Sequence, residues 1–294
     1  METHLEKQEG VSIVIPVYNE SEGLSAFISE LSAVLETFSR PCEVLLVDDG
    51  SSDGSTEILA NQSLPYIQHD VNLGYGAAIK TGIQKTSMPN IVIIDADGTY
   101  PPAEIEKLVR RLEHVDMAVG ARTGTDAKIP WVRRPAKWLI RMFAQWMVRR
   151  SIPDLNSGLR AFRRERVEPI LRLLPDGFSL TTTITIAFQA TGSRVEYIET
   201  EYRIRSGQSK FRPIADTWNL ILVILRTVVL LRPLNFFLPL SLLLAVLAIL
   251  VGGVSLAIGE FMDATFIVLM MASMQMFVLG LIADLIVRVQ YRTH

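Results

Sequence analysis

The chain has 294 residues, its acidic and basic side chains nearly cancel at a net charge of −2, and 49% of its residues are hydrophobic. That net charge is uninformative by itself, and the distribution of charged and apolar residues along the chain matters more. The single cysteine, Cys42, excludes an intrachain disulfide framework and fits a reducing compartment.

Met1 to Gly10 is polar and charged and does not read as a signal peptide. Val11 to Val17 reads as a first strand, with Pro16 marking the end of its pairing, and Tyr18-Asn19-Glu20-Ser21-Glu22 is a polar turn into a helix running to about Phe38. Glu43 to Val47 is a second strand that closes on the acidic turn Asp48 to Ser55. A short third strand, Tyr66 to His69, leads into Asn72 to Gly82, where small residues let a helix begin close to a ligand or to another backbone. This run is not the dinucleotide G-x-G-x-x-G fingerprint, because position 79 is Ile and the run follows the third strand. Ile91 to Ile94, apolar throughout, reads as a strand buried on both faces, and it ends in Asp95-Ala96-Asp97-Gly98-Thr99-Tyr100-Pro101-Pro102. Pro102 opens a helix to about His114, and Met117 to Gly120 is a fifth strand ending near Arg122. This alternation predicts an α/β fold, a mostly parallel Rossmann-like sheet with helices on both faces.

Ligands of such sheets bind outside the carboxyl ends of the strands, so Asp95 and Asp97 face a ligand. Two carboxylates one residue apart repel each other, and a divalent cation bridged to a phosphate relieves that repulsion. Ordinary turn chemistry is the alternative reading of Asp at a strand end.

Between Lys128 and Arg150 lie Lys128, Arg133, Arg134, Lys137, Arg141, Arg149 and Arg150, with no acidic residue and with Trp131, Trp138, Phe143 and Trp146 interleaved. That composition suits a helix on an anionic membrane surface better than a nucleic-acid site, since the chain's own spans bring lipid phosphate close. Asp154 to Arg160 is a turn whose hydroxyl, carboxylate and glycine either line an acceptor site or simply lead into a strand at Leu159 to Phe162. A strand from Val195 to Ile204 precedes Arg205-Ser206-Gly207-Gln208-Ser209-Lys210, whose composition suggests a loop that closes over a bound donor. Pro213 starts an amphipathic helix, Ile214 to Leu231, read as interfacial.

Leu234 to Ile258 carries no charge and, at ~1.5 Å per residue, spans ~37 Å against a hydrocarbon core of ~30 Å. Ala264 to Val287 is apolar apart from Ser273, Gln275 and Asp284, so the two form a tight hairpin. Arg226, Arg232, Arg288 and Arg292 flank the spans while the short loop carries Glu260 and Asp263, which predicts cytoplasmic termini. Asp284 is read as snorkelling, pairing with Arg288 or contacting a neighbouring subunit. The expected division is a catalytic region over 1–212, a juxtamembrane helix over 213–232 and a membrane hairpin over 233–294.

The set V-S-I-V-I-P-V-Y-N-E, V-D-D-G-S-S-D-G-S, N-L-G-Y-G-A-A-I-K-T-G and D-A-D-G-T-Y-P-P, in this order, resembles the family-2 glycosyltransferases of GT-A fold. The later G-A-R-T, D-L-N-S-G-L-R-A-F and R-S-G-Q-S-K-F, followed by a membrane hairpin, resemble the dolichol-phosphate mannose synthase and polyprenyl-phosphate glycosyltransferase branch. The resemblance implies that Pro16, Tyr18, Glu20 and Asp48 cradle the base and ribose of a nucleoside-diphosphate sugar, with Asn72, Gly74, Gly76 and Ala96 completing the nucleotide site. It implies Mg²⁺ or Mn²⁺ on Asp95 and Asp97; Thr99 stands where a Gln is common, so its hydroxyl acts as a ligand, through water, or not at all. It further implies an inverting single displacement and, as in some relatives, a homotetramer, for which Gly252-Gly253 and Met270 to Met276 offer packing surfaces.

The chemistry sets its own requirements. A phosphomonoester acceptor is already anionic near neutral pH and needs little general base. It needs cations that let it approach a donor carrying two phosphates. Arg122, Arg134, Arg205 and Lys210 are the candidates, with Arg122, Arg134 and Ser157 on the acceptor phosphate and Arg205 and Lys210 joining Asp95 and Asp97 in catalysis. Transfer to a neutral lipid such as diacylglycerol would instead need a base, for which Asp154 is the tempting residue, and a non-catalytic nucleotide-sugar scaffold has only Thr99 in its favour. The identity of the sugar, GDP against UDP, and dolichol against undecaprenol stay open.

Overall fold

The computed structural model describes residues 10–122, 142, 145, 150–203, 213–258 and 263–292. Seven strands form one sheet in the order β3-β2-β1-β4-β6-β5-β7. They are β1 (Val11–Val17), β2 (Cys42–Asp48), β3 (Tyr66–Gln68), β4 (Asn90–Ile93), β5 (Met117–Ala121), β6 (Arg160–Arg163) and β7 (Val195–Glu199). All neighbours pair in parallel except β6, which lies antiparallel between β4 and β5. That insertion departs from simple strand–helix alternation and matters for the site. It brings the first residue of β6, Arg160, opposite Ile93 at the carboxyl end of β4.

Strand alternation sends Ile13, Ile15, Val92 and Ile94 to one face, where α1 (Ser21–Glu36) and α4 (Glu104–Arg111) cover them. Val14, Ile91 and Ile93 point to the other face, under α3 (Tyr75–Lys85) and α6 (Leu180–Ala190). Short helices α2 (Ser55–Ala60) and α5 (Arg164–Val167) complete this part, with a 3-10 turn over Glu168–Leu173. Helix α6 is buried along its whole length, including four threonines, three of which return their hydroxyls to carbonyls one turn back.

Two expectations need correction. Pairing does not end at Pro16, since β1 continues along β2 through Pro16↔Val47 and Val17↔Asp48. Pro16 is tolerated because its missing N–H falls on the β4 side, where pairing has already stopped at Val14↔Ile93. The strand predicted from Val195 to Ile204 ends at Glu199, opposite Ala121, the last residue of β5, which is its only neighbour among the described residues.

Helix α7 (Pro213–Leu231) packs Ile224 and Val228 against Ile152, Leu155 and Ile186. It is followed by α8 (Leu234–Ile258) and α9 (Asp263–Arg292), which lie side by side. Both are long and apolar enough to cross a membrane, and only 17% and 11% of their most apolar windows are buried, unlike core helices of a soluble protein. Ser273 Oγ donates to the Ser241 carbonyl at 2.9 Å, joining the two helices. Asp284 accepts from Arg288 Nε at 2.7 Å, one turn on. Most of the basic aromatic segment 128–150 lies outside the described residues.

Candidate active site

The carboxyl ends of β1, β2, β4 and β5 meet the 154–160 loop in one polar rim. On its β1–β2 side the backbone turns are stitched together by side chains. Asn19, at φ 53°, donates its N–H to Ser51 Oγ at 3.0 Å, and its Oδ1 accepts from Ser52 N–H at 2.8 Å. Glu20 N–H donates to Ser55 Oγ and Ser21 N–H to Asp53 Oδ2. Asp48 is fully buried and accepts from Ser51 N–H and Thr56 Oγ1, so its carboxylate shapes this turn from within. Tyr18 stays 37% exposed at the rim.

Neighbouring Asp49 was not singled out by sequence. Its carboxylate accepts from Leu73 N–H and Gly74 N–H at 2.9 and 2.7 Å and contacts His69 Nδ1 at 2.8 Å, fixing the Asn72–Gly76 turn. Of the two readings of that turn's small residues, close backbone approach is the one observed. A Cβ on Gly74 would lie 2.5 Å from the Asp176 carbonyl oxygen, and one on Gly76 would strike that of Pro175.

Asp95 and Asp97 stand where β4 becomes a loop, with Ala96 buried between them. Tyr75, from the start of α3, donates its hydroxyl to Asp95 Oδ1 at 2.8 Å. Gly158 backs directly onto the same carboxylate, and a Cβ there would collide with Asp95 Oδ2. Burial, and then the charge of Asp97, push the Asp95 carboxyl above the ordinary aspartate range, against the Tyr75 hydrogen bond that favours its charged form. Thr99 commits its hydroxyl to Asp97 Oδ1 at 2.6 Å and its N–H to the same atom at 3.1 Å. It thereby orients the carboxylate, with Gly98 at φ 71° allowing the tight turn.

On the β5 side Arg122 forms a two-pronged pair with Asp154, Nε to Oδ2 at 2.7 Å and Nη2 to Oδ1 at 2.8 Å, and lies 5.3 Å above the Tyr202 ring. Burial disfavours both charges, but the Arg122 hydrogen bonds outweigh it, so the Asp154 carboxyl is held below its usual range and Arg122 stays protonated. A carboxylate held ionised in this way is a poor general base. Ser157 is fully buried; its hydroxyl meets Tyr100 Oη at 3.1 Å, donates to the Leu159 carbonyl and accepts from Leu159 N–H.

Beneath the loop lies Arg160, fully buried, which sequence reading passed over as part of a strand. Its Nε and Nη2 fork onto the Ser157 carbonyl at 3.2 and 2.6 Å, and Nη1 reaches the Thr181 carbonyl and Thr185 Oγ1. The antiparallel insertion of β6 puts it there, and no local motif announces that. Arg134, Arg205 and Lys210 lie outside the described residues. The segment leading to the last two is anchored, since Arg203 N–H donates to the Thr99 carbonyl at 2.8 Å and its guanidinium pairs with both oxygens of Glu30.

The residues present suit a hard divalent cation. Asp95 and Asp97 supply oxygen donors from positions one residue apart, and their mutual repulsion is a cost that a cation would remove. Among the described residues no cluster of three or more His, Cys, Asp or Glu is placed to hold a metal ion.

An α/β sheet with acidic turns and a carboxylate pair at its carboxyl rim defines the class of α/β proteins that bind ligands outside their strand ends. The family model described as glycosyl transferase family 2 matches residues 12–171, and the chain belongs to that family. A second model, the GtrB C-terminal hairpin, matches residues 232–289, the α8–α9 pair. The undecaprenyl-phosphate 4-deoxy-4-formamido-L-arabinose transferase of Serratia proteamaculans is 32% identical over 216 residues, covering 71% of this chain and 65% of that protein. The transferase of the same name from Salmonella paratyphi A is 33% identical over 258 residues, covering 84% of this chain and 74% of its own length. The chain therefore spans just under two thirds of the Serratia protein. Among solved structures, glucosyl-3-phosphoglycerate synthase from Mycobacterium tuberculosis with Mn²⁺, UDP and phosphoglyceric acid superposes with a TM-score of 0.60 at 19% identity, covering 76% of this chain and 80% of that one. Mannosyl-3-phosphoglycerate synthase from Rubrobacter xylanophilus gives 0.58 at 19% identity, covering 80% and 76%. These likenesses establish the GT-A fold.

Proposed function

We propose that the chain transfers a sugar from a nucleoside-diphosphate sugar to a polyprenyl phosphate, undecaprenyl or dolichyl, releasing the nucleoside diphosphate. The observation that carries this reading is the double duty of the 154–160 loop. Its Gly158 packs on Asp95 while its Asp154 holds Arg122, so one loop sets a carboxylate pair suited to a metal-bound diphosphate beside a cation suited to an acceptor phosphate. The names of the curated relatives agree with such an acceptor.

In this reading Pro16, Tyr18, Glu20 and Asp48 shape the nucleoside side, with the Asn72–Gly76 turn and Ala96 closing it. Asp95 and Asp97 hold Mg²⁺ or Mn²⁺, which when bound stabilises charge on the departing diphosphate. Thr99 and Tyr75 orient those carboxylates. Arg122, with Arg134, receives the acceptor phosphate; Ser157 supports that loop from behind, and Arg205 and Lys210 act on the phosphates. The acceptor attacks as an anion, so the commitment of Asp154 to Arg122 costs the reaction nothing. The same commitment disfavours the diacylglycerol alternative, which needs Asp154 as a base.

The division into a catalytic region, the juxtamembrane α7 and a spanning hairpin belongs to this proposal, as do cytoplasmic termini read from Arg226, Arg232 and Arg288. A polyprenyl phosphate keeps its tail in lipid, so a site tethered by two spans meets its acceptor at the interface. The test is transfer from labelled UDP- and GDP-sugars by detergent-purified protein, with polyprenyl phosphate or diacylglycerol and with Mg²⁺, Mn²⁺ or chelator. The expected outcome is a metal-dependent, acid-labile lipid product that Asp97→Ala abolishes. Product from diacylglycerol alone would move the reading to headgroup synthesis, and nucleotide binding without product would favour a scaffold.

A further inference from the structure

Phe178 is 77% exposed, an unusual position for a large apolar ring that is nonetheless firmly placed. Its ring stacks on Tyr75 with centroids 5.6 Å apart and planes 15° from parallel. Tyr75 in turn donates its hydroxyl to Asp95, so the ring pair is the apolar continuation of the carboxylate site.

The turn that carries Phe178 is bolted to the start of α3. Asp176 O accepts from Ala77 N–H at 3.0 Å, Lys80 Nζ donates to the Leu174 carbonyl at 3.0 Å and pairs with the Asp176 carboxylate, and Gly74 and Gly76 leave no space between the two backbones. One face of the Phe178 ring rests on Tyr75, and most of its remaining surface is bare. A rigid, open aromatic face costs little conformational entropy to use in binding.

Sheet order decides what that face meets. Tyr75 opens α3, which packs on β1 and β2. Arg122, Asp154 and Tyr202 lie on the other side of β4, at β5, the 154–160 loop and the end of β7. The aromatic pair is tied to the Asp95 carboxylate through Tyr75, while the start of α6 just beyond Phe178 meets the 154–160 loop, where Arg160 Nη1 donates to the Thr181 carbonyl and Thr182 Oγ1 donates to Asn156 Oδ1.

We propose that Phe178, backed by Tyr75, is the platform on which the sugar ring of the donor packs, making it a specificity-determining residue for the transferred sugar. A pyranose offers positively polarised C–H bonds on one face, which complement the negative face of an aromatic ring. The platform accordingly favours donors with an uninterrupted C–H face, including deoxy sugars, over those with an axial hydroxyl directed at the ring.

This inference rests on the donor reading above, and the experiment separates the two. Full-length protein in detergent is titrated with UDP, GDP and the same panel of UDP- and GDP-sugars, for the unaltered chain and for Phe178→Ala, Phe178→Leu and Phe178→Trp. Phe178→Ala is expected to weaken the preferred nucleotide sugar about fivefold, the size of one aromatic stacking contact, while leaving the bare nucleotide within twofold. Phe178→Trp should retain the sugar contribution and Phe178→Leu should not, because a leucine keeps apolarity but loses the flat face. Equal weakening of nucleotide and nucleotide sugar would overturn the proposal, as would full rescue by Leu. A raised KM for polyprenyl phosphate with unchanged donor binding would overturn it too, and would assign the ring to the lipid. No nucleotide or nucleotide-sugar binding by the unaltered chain would sink the donor reading and this inference together.

Discussion

The two ends of the central sheet each hold an arginine from the β6 region, Arg160 fully buried and Arg164 partly buried, and they use it differently. At the amino end, Arg164 donates Nε to the Met88 carbonyl, Nη1 to the Ile83 carbonyl and Nη2 to Ser12 Oγ and Thr86 Oγ1. Glu43 closes that network by accepting from Ser12 Oγ, Ser87 N–H and Met88 N–H, and these bonds, with the Arg164 charge, outweigh burial and hold its carboxyl low. Donors and acceptors, and positive and negative charge, are matched. At the carboxyl end, Arg160 is spent on carbonyls and a hydroxyl, while Asp95 and Asp97 face each other with their repulsion in place. The amino end is a staple; at the carboxyl end the two carboxylates keep their hydrogen bonds and still repel each other, a cost that a bound cation would relieve.

That contrast predicts that stability and activity separate along β6. Arg164→Ala removes the side-chain donor to the Met88 carbonyl, one of the donors to the Ile83 carbonyl and the cation facing Glu43, at a cost of about 2 kcal/mol. Urea unfolding should show the lower midpoint, while the KM values of the protein that remains folded stay unchanged. A changed KM for either substrate would break the division of labour between the two ends.

Gly158→Ala should do the reverse. Its Cβ would collide with the Asp95 carboxylate, so either the side chain rotates or the 154–160 loop retreats. A displacement of about 1 Å at a reacting centre costs on the order of 10²-fold in rate, equivalent to about 2.7 kcal/mol. Turnover should fall by that factor with the unfolding midpoint nearly unchanged, and a variant of ordinary activity would remove Gly158 from the site.

These predictions also mark what the amino-acid sequence could disclose. Asp48, Asp95, Asp97 and the Asn72–Gly76 turn were legible because strand ends and turns are local, and acids or glycines at such ends carry their meaning within a few residues. The hairpin was legible because apolar length suffices. Gly158 was read as a flexible residue near an acceptor, whereas it is a contact surface for Asp95, and only the antiparallel entry of β6 creates that contact. Arg160 was hidden for the same reason, and Phe178 because nothing local distinguishes an exposed Phe from a core one. Helix α6, with its Thr-Thr-Thr-Ile-Thr run, went unread because β-branched polar residues argue against a buried helix until their hydroxyls find carbonyls one turn back.

The smallest expected effect sharpens the comparison within the rim itself. Asp53 accepts from Ser55 Oγ and from Ser21 and Ser55 N–H, joining the β1 and β2 turns on the nucleoside side. Partial burial raises its carboxyl, but those hydrogen bonds outweigh it and bring the pKa from 3.8 down to about 2. A folded-state pKa below the unfolded one gives stability that is fully present above the unfolded value and disappears as pH falls through the folded value. The Asp53 contribution is therefore intact at neutral pH and lost between roughly pH 4 and pH 2. Asp53→Asn should lower the thermal midpoint slightly at pH 7 and flatten its decline over that acid window. Because Asp95 moves in the opposite direction, raised by burial and by Asp97, Asp97→Asn should instead raise the midpoint at neutral pH in the absence of metal. Opposite signs from two aspartates of one rim would separate the carboxylate that builds the site from the pair that waits for its ligand, and equal signs would remove that distinction.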